Sequence, residues 1–278
     1  MNFYVSLLFF LFYVCRLPAD NCGGFIKTLE SEEKAGLTDF FEKLIFHDQF
    51  AYTLEGYKAM SVSAKFLYSH LIIDGKEVLE TPSPRRFWEG WKVWLKHQPN
   101  FKMQNFVLLE ERSNQIESIK FILLINRQVF REVVNQHLKT FEKILKRKIN
   151  AEDLLEEISK SGYQKTLAGS EILKGILLGY GEHNSWLFEH REKFYGGKSS
   201  FHLVPSQKEK PLPIVKNPTF FHEDKPNLKL FYRTNFLADL SSSETQELRK
   251  KYDIAERKIF KKYQPQNILH ATLSKLME

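Results

Sequence analysis

The chain has 278 residues, of which 42% are hydrophobic and 27% are charged, and its formal net charge is +7. This is an ordinary globular balance with enough residues for a large core, and the 24 phenylalanines predict that the core is rich in aromatic rings. No internal repeat or low-complexity tract is present, which excludes a repeat architecture. A moderate basic excess does not by itself indicate nucleic-acid binding.

The first residues carry a localisation signal. Phe3 to Cys15 form an apolar or weakly polar run of 13 residues, which fits a secretory signal and is short for a membrane span of about 20 residues. Ala19 offers a small residue before a cleavage site, although no Lys or Arg precedes the run. We predict that residues 1–21 are a signal peptide and that the protein is exported to the periplasm, cell surface or medium. A retained N-terminal anchor and a buried first helix are the alternatives. Cleavage would leave Cys22 as the only cysteine, without a disulfide partner.

Hydrophobic spacing predicts the elements of the first half. Ser31-Glu32-Glu33 opens a helix, Phe50 to Ser61 is a turn-containing segment, and His70 to Ile73 is a short strand before Asp74-Gly75. The prolines of residues 81–84 start another helix, whose apolar face contains Phe87, Trp88, Trp91, Trp94 and Leu95. A tryptophan-rich face can contact carbohydrate or membrane, but we interpret this one as the core face of an amphipathic helix.

The second half begins with the clearest strand pattern. Phe106 to Leu109 and Ile119 to Ile125 predict an antiparallel hairpin. A long helix from Arg127 to Arg147 follows, then a helix from Ala151 to Ser159 with Asn150 as its N-cap. Five prolines between Val204 and Lys229 predict an irregular crossing segment near 204–229. The remaining predictions are a strand at 228–232, a charged helix from the serines of 241–243 to about Tyr263, and a helical end over 264–277.

These elements predict the fold class and the domain organisation. The fold is α+β, mainly helical with a small antiparallel sheet, and residues 22–278 form a single globular domain.

The segment from Leu173 to Phe201 combines a dense apolar run with polar side chains. Gly175, Gly179 and Gly181 each cost about 1 kcal/mol in a helix relative to alanine, so we predict a break near Gly179-Tyr180-Gly181. A second helix then begins near His183 or Asn184, with Asn184 as N-cap, and ends at Gly196-Gly197. Such a break gathers helix ends and polar groups in one place, which favours a polar cleft near 180–191.

The candidate site residues follow from this break and from the Tyr52 to Ser61 segment. The binding candidates are Tyr52, Lys58, Tyr180, His183, Asn184 and Arg191. The catalytic candidates are His183 as a general base and Glu182 or Glu189 as the group that orients it. No phosphate-loop, dinucleotide-binding or nucleophile-elbow motif is complete in the sequence. His183 and His190 are seven residues apart, about 10.5 Å along a helix, which is too far for one zinc ion, so we predict no metal and no cofactor.

Basic residues are concentrated on two predicted helices. One group lies between Lys139 and Lys148 and the other between Arg249 and Lys262, and acidic residues are interleaved with both. We interpret both as solvated helix faces rather than phosphate-binding stripes, and the sequence argues against nucleic acid as a partner. The N-terminal apolar segment offers a route to membrane association.

Two short patterns resemble a known group of proteins. The first is Phe50-Ala51-Tyr52-Thr53-Leu54 with Gly56, Lys58, Met60 and Ser61. The second is the glycine-rich run of residues 175–181 with Asn184, Leu187 and Phe188. Together they are similar to uncharacterised exported proteins of intracellular-living bacteria over roughly residues 40 to 195. The resemblance implies export from a bacterium and implies no activity.

Two function classes remain. We favour an exported binding or interaction protein whose polar cleft takes an unknown protein or small ligand. The alternative is a hydrolase with His183 as general base.

Overall fold

The computed structural model describes residues 22–66, 71–73, 76–78, 84–114, 119–190, 219–220 and 236–278. The predicted signal segment 1–21 therefore lies outside the described residues. The helices are α1 (Cys22–Thr28), α2 (Ser31–Glu42), α3 (Phe50–Leu54), α4 (Pro84–His97), α5 (Arg127–Gln136), α6 (Leu138–Leu145), α7 (Ala151–Ser161), α8 (Tyr163–Thr166), α9 (Glu171–Leu177), α10 (Glu182–Glu189), α11 (Ser243–Lys262) and α12 (Ile268–Met277). A π-helical turn, Lys43–His47, continues α2. The strands are β1 (Met60–Phe66), β2 (Leu71–Ile73), β3 (Lys76–Val78), β4 (Phe106–Arg112), β5 (Ile119–Asn126), β6 (Thr219–Phe220) and β7 (Leu237–Ala238).

These elements form the predicted fold class, a mainly helical α+β structure with a small three-stranded antiparallel sheet. The strand order is β1-β5-β4, with Met60 opposite Ile125 and Phe106 opposite Asn126. The predicted hairpin of β4 and β5 is confirmed. The central strand β5 buries Ile122, Leu123, Leu124 and Ile125 in succession, because helices cover both faces of the sheet.

Strand β1 is absent from the sequence prediction, which treated Phe50 to Ser61 as one turn-containing segment. That segment forms α3, a turn and the start of β1. Ser61 and Ser63 are buried in β1, because the Ser61 hydroxyl shares a 2.7 Å hydrogen bond with that of Thr53 and Ser63 donates to Asp48 at 2.8 Å. Buried serines conceal the alternation of apolar and polar residues that usually identifies a strand.

An aromatic core lies on one face of the sheet, between α2, α4 and α12. The tryptophan face of α4 belongs to it: Phe87, Trp91 and Trp94 are buried, as predicted, whereas Leu95 is exposed. Gly36 of α2 and Gly90 of α4 let the two helix backbones approach closely. A Cβ atom on Gly90 would lie 2.6 Å from the Cβ of Phe40, and closer still to the carbonyl oxygen of Gly36.

A second core lies on the other face of the sheet, under α5 to α9. The predicted long helix from Arg127 to Arg147 is wrong, since His137 leaves helical geometry (φ −108°, ψ 24°) and separates α5 from α6. The ring of His137 makes a tertiary hydrogen bond to Glu182 of α10, 2.8 Å long. The periodic spacing of apolar residues in the sequence gives no indication of this contact. The predicted N-cap Asn150 is confirmed, because its side chain accepts from the backbone of Glu152 and Asp153.

The predicted break in the glycine-rich segment is confirmed. Helix α9 ends at Leu177, α10 begins at Glu182, and Gly179 and Gly181 adopt φ angles of 80° and 83° between them. The predicted N-cap Asn184 is wrong, because this residue lies inside α10. Helix α10 ends at Glu189, and Gly196-Gly197 lie outside the described residues.

The two predicted C-terminal helices are confirmed. The charged helix is α11 with Ser242 at its N-cap, and the chain closes with α12. Most of the proline-rich segment 204–229 and the predicted strand at 228–232 lie outside the described residues; β6 pairs antiparallel with β7. Cys22 is buried with a free thiol. Across the described ranges, no helix has both the length and the hydrophobicity needed to cross a bilayer.

Candidate functional site

The start of α10 is stabilised from another part of the chain. Its N-cap is Gly181, which has no side chain to accept hydrogen bonds. The carboxylate of Glu244, in the first turn of α11, accepts instead from the backbone N–H groups of Glu182 (2.9 Å) and His183 (3.0 Å). A carboxylate at a helix N-terminus also interacts favourably with the helix dipole. This contact fixes where His183 lies.

His183 forms a pair with Asp239. Its Nε2 atom lies 3.1 Å from Oδ2 of Asp239, and the side chain of His183 is 28% exposed. The other oxygen of Asp239 accepts from the backbone N–H and hydroxyl of Ser241 at 3.0 and 2.6 Å. Burial would raise the pKa of Asp239, but the hydrogen bonds from Ser241 and His183 outweigh it and hold the pKa below its ordinary value. An ionised Asp239 therefore orients the imidazole. None of the described residues hydrogen-bonds to Nδ1 of His183.

Glu182 joins α10 to α6. One carboxylate oxygen lies 2.8 Å from Nδ1 of His137, and the other accepts from the hydroxyl of Thr140 at 2.5 Å. Burial opposes ionisation of this carboxyl, but the hydrogen bonds from Thr140 and His137 outweigh it and lower its pKa. The start of α10 thus carries two histidine–carboxylate pairs side by side.

A cleft of about 540 Å³ opens between α6, α9 and α10. Its apolar wall consists of Ile144, Ile172 and Trp186, and its polar lining consists of Thr140, Lys143, Glu182, His183 and Glu244. The indole of Trp186 stacks on the ring of His190, with centroids 4.3 Å apart. The cleft combines an apolar surface with a few polar groups, which is the usual composition of a small-molecule site.

Asn184 lies beneath this cleft and is 1% exposed. Its amide donates to the carbonyl of Tyr180 at 2.9 Å, and its oxygen accepts from the backbone of Asp239 at 3.0 Å. It also exchanges hydrogen bonds with the hydroxyl of Thr245. Asn184 therefore ties the α9–α10 break to the β7–α11 segment and has no donor or acceptor left for a ligand.

A second polar group lies in the core next to the same break. Lys58 is 2% exposed, and its ammonium nitrogen lies 5.4, 5.5 and 5.8 Å from the ring centroids of Tyr52, Tyr180 and Tyr252. It donates to the side-chain oxygen of Gln49. Burial, followed by the nearby charge of Lys251, lowers the pKa of Lys58 to about 7. We call Lys58 and the three tyrosines the tyrosine cage of Lys58. The hydroxyl of Tyr252 donates to the carbonyl of Gly179 at 2.7 Å, so the tyrosine cage is hydrogen-bonded directly to the break between α9 and α10.

Six of the eight predicted site residues fall into three sets. Tyr52, Lys58 and Tyr180 meet in the buried cage, Glu182 and His183 line the cleft, and Asn184 joins the two regions. Glu189 lies at the far end of α10, where its carboxylate caps α9 by accepting from Glu171 at 2.7 Å and Ile172 at 3.3 Å. Arg191 lies outside the described residues. The ring of His183 is held by Asp239 rather than by Glu182 or Glu189.

Sequence reasoning missed His137, Trp186, Asp239, Glu244 and Tyr252. The pairs that Asp239 and Glu244 make with α10 span 55 to 62 positions of the chain, so no local motif could reveal them. The capping serines of residues 241–243 were the nearest available signal, because they mark a helix start whose first turn favours an acidic residue.

No group of three or more His, Cys, Asp or Glu side chains in the described residues is arranged to hold a metal ion. No family model, curated protein or solved structure matches this chain.

Proposed function

We propose that the protein is a binding protein and that it takes a small amphipathic ligand in the cleft between α6, α9 and α10. The observation that carries this proposal is the cleft itself, about 540 Å³ with an apolar wall and a polar lining. Ligand pockets in proteins commonly measure about 300 to 1,000 Å³ and combine these two kinds of surface.

The lining indicates what such a ligand would contain. An apolar or aromatic body would cover Ile144, Ile172 and Trp186. A hydrogen-bonding group would meet Nδ1 of His183, while an anionic group would meet the ammonium of Lys143. The carboxylates of Glu182 and Glu244 already accept hydrogen bonds from protein donors, so they shape the site more than they bind the ligand.

Filling the cleft should remove binding without unfolding the protein. We expect that Ile172→Trp, which places an indole against Trp186, lowers the affinity for ligand by at least tenfold. Small aromatic carboxylates would be screened by ligand-observed NMR on the full chain and their affinities then measured by calorimetry. Ile254→Trp is the matched control, because Ile254 is an exposed isoleucine of α11 that does not line the cleft. Equal affinity in the two variants would contradict the proposal.

The pair of His183 and Asp239 favours a second candidate, a hydrolase in which His183 removes a proton from water or substrate. We expect His183→Ala to abolish turnover of a p-nitrophenyl ester while the melting temperature stays within about 2 °C of that of the wild type. Asp239→Asn should retain part of the activity, because the ring loses only its orienting charge. A wild-type protein without turnover would rule out this hydrolase, whereas a large loss of stability in His183→Ala would assign the pair of His183 and Asp239 a structural role.

The place of action in this proposal is outside the cytoplasm, as the apolar run from Phe3 to Cys15 suggests. Sequencing the N-terminus of protein purified from its own cells tests this, since an intact Met1 contradicts cleavage.

A further inference from the structure

We propose that one face of α11 docks on the surface of a membrane that contains anionic lipids. The face consists of residues at positions 250, 251, 254, 257, 258 and 261, whose spacing places them on one side of a helix. All six are exposed: Lys250, Lys251, Ile254, Arg257, Lys258 and Lys261. We call this set the basic face. It is independent of the cleft and of the N-terminal apolar segment.

In the described part of the chain, no acidic side chain contacts the cations of the basic face directly. Among the described residues, no carboxylate forms an ion pair with any of the five, and Arg257 donates only to the backbone carbonyl of Asp253. Burial lowers the pKa of Lys251, and the carboxylate of Glu132 on α5 opposes this shift only at longer range. Helical spacing of about 100° per residue places Glu256 on the opposite side of α11 and Asp253 on its flank, while Glu247 precedes the face by one turn. Five positive charges therefore share a stretch of roughly 16 Å.

The opposite side of α11 holds the helix rigidly in the protein. Tyr252, Ala255 and Ile259 are buried in the aromatic core. The basic face is consequently a fixed surface of the folded protein, not a segment that must become ordered on binding. Such a surface avoids the entropic cost that a flexible basic tail pays on binding.

An apolar side chain in the middle of the basic face distinguishes a membrane from other anionic partners. Ile254 is 47% exposed, with cations on both sides of it along the helix. A phosphate backbone would attract the lysines but would offer nothing to an isoleucine. At a bilayer surface, the cations meet anionic headgroups while the apolar side chain enters the interface.

The first test compares two triple variants of the full chain in vesicle co-flotation. Lys250→Glu/Lys258→Glu/Lys261→Glu reverses three charges of the basic face, and Lys92→Glu/Lys139→Glu/Lys165→Glu reverses three lysines on α4, α6 and α8. The two variants have the same net charge. On vesicles in which phosphatidylglycerol replaces a third of the phosphatidylcholine, we expect the first to bind about a hundredfold more weakly than the wild type. We expect the second variant to bind these vesicles less than threefold more weakly than the wild type.

Vesicles of phosphatidylcholine alone separate this surface from the N-terminal segment, because an apolar anchor does not require anionic lipid. Binding that is independent of phosphatidylglycerol and of salt, or equal losses in the two triple variants, would overturn the proposal.

The second test addresses the apolar centre. Ile254→Ser should weaken binding to the anionic vesicles about tenfold, whereas Phe260→Ser, on the flank of the same helix and 45% exposed, should not. A duplex oligonucleotide provides the competing polyanion. If it binds as tightly as the vesicles and Ile254→Ser leaves both affinities unchanged, the basic face is a nucleic-acid surface and the membrane proposal is wrong.

Discussion

Gly90→Ala is expected to lower the free energy of unfolding by about 3 kcal/mol, although alanine is the better helix former. Gly90 lies where α4 crosses α2, and an added Cβ would meet the carbonyl oxygen of Gly36 and the Cβ of Phe40. Both atoms are part of α2 or directly attached to its backbone, so the clash can be relieved only by moving the helix. Separating α2 from α4 would loosen contacts of Phe40 with Phe87 and Trp91. Urea unfolding followed by tryptophan fluorescence would measure the loss.

Gly36→Ala provides a matched control across the same crossing. Its added Cβ would lie 3.6 Å from the Cα of Gly90, an ordinary van der Waals distance. We therefore expect this variant to be as stable as the wild type or up to about 1 kcal/mol more stable, because alanine favours the helix. Equal destabilisation by the two substitutions would show that the crossing tolerates no side chain on either helix and would contradict the expected difference between the two glycines.

Lys58→Met is expected to change how stability depends on pH. Burial lowers the pKa of Lys58 to about 7 in the folded protein, whereas its value in the unfolded chain is 10.5. Between these values the unfolded chain binds more protons, so ionisation of Lys58 makes wild-type stability rise with pH, by at most about 1.4 kcal/mol per pH unit. Below pH 7 both states are protonated and the contribution is constant. The difference in free energy of unfolding, Lys58→Met minus wild type, should therefore be roughly 3 kcal/mol larger at pH 7 than at about pH 9.5.

Urea unfolding of both proteins at a series of pH values would measure this difference, and the other titrating groups cancel because the two proteins share them. Lys58→Arg is the complementary control, since its guanidinium stays charged throughout the range. We expect that variant to be the least stable of the three at every pH. A constant free-energy difference between the wild type and Lys58→Met would mean that the amine of Lys58 does not change its ionisation within this window.

Local patterns in the sequence were sufficient for most of the elements. The tryptophan spacing of α4, the β4–β5 hairpin and the break at Gly179 each follow from periodicity or from glycine. The failures occurred where a tertiary hydrogen bond altered a local preference. Ser63 is buried in β1 because Asp48 accepts from it, and the helix breaks at His137, where the ring meets Glu182.

The candidate site was predictable only in part, for the same reason. Its location followed from the glycines, and His183 was found because it stands next to the break. Its partner Asp239 and the capping residue Glu244 come from the far side of a long chain segment and could be found only by folding the protein. Lys58 and Tyr180 were expected to face an open site, but packing against Tyr252 encloses Lys58 in the core.

The capping of short helices by distant glutamates has a consequence for the order of assembly. Glu111 of β4 accepts from the backbone of Tyr163 at the start of α8, as Glu189 does for α9 and Glu244 for α10. Helices of four to eight residues do not persist alone in water, so each gains its capping hydrogen bonds only once the segment that carries the acceptor is in place. Helix α10 therefore reaches its full stability only after α11 has docked. His183 and its neighbours should be among the last parts of the molecule to close during folding, and amide hydrogens in α10 should exchange with solvent as soon as α11 detaches.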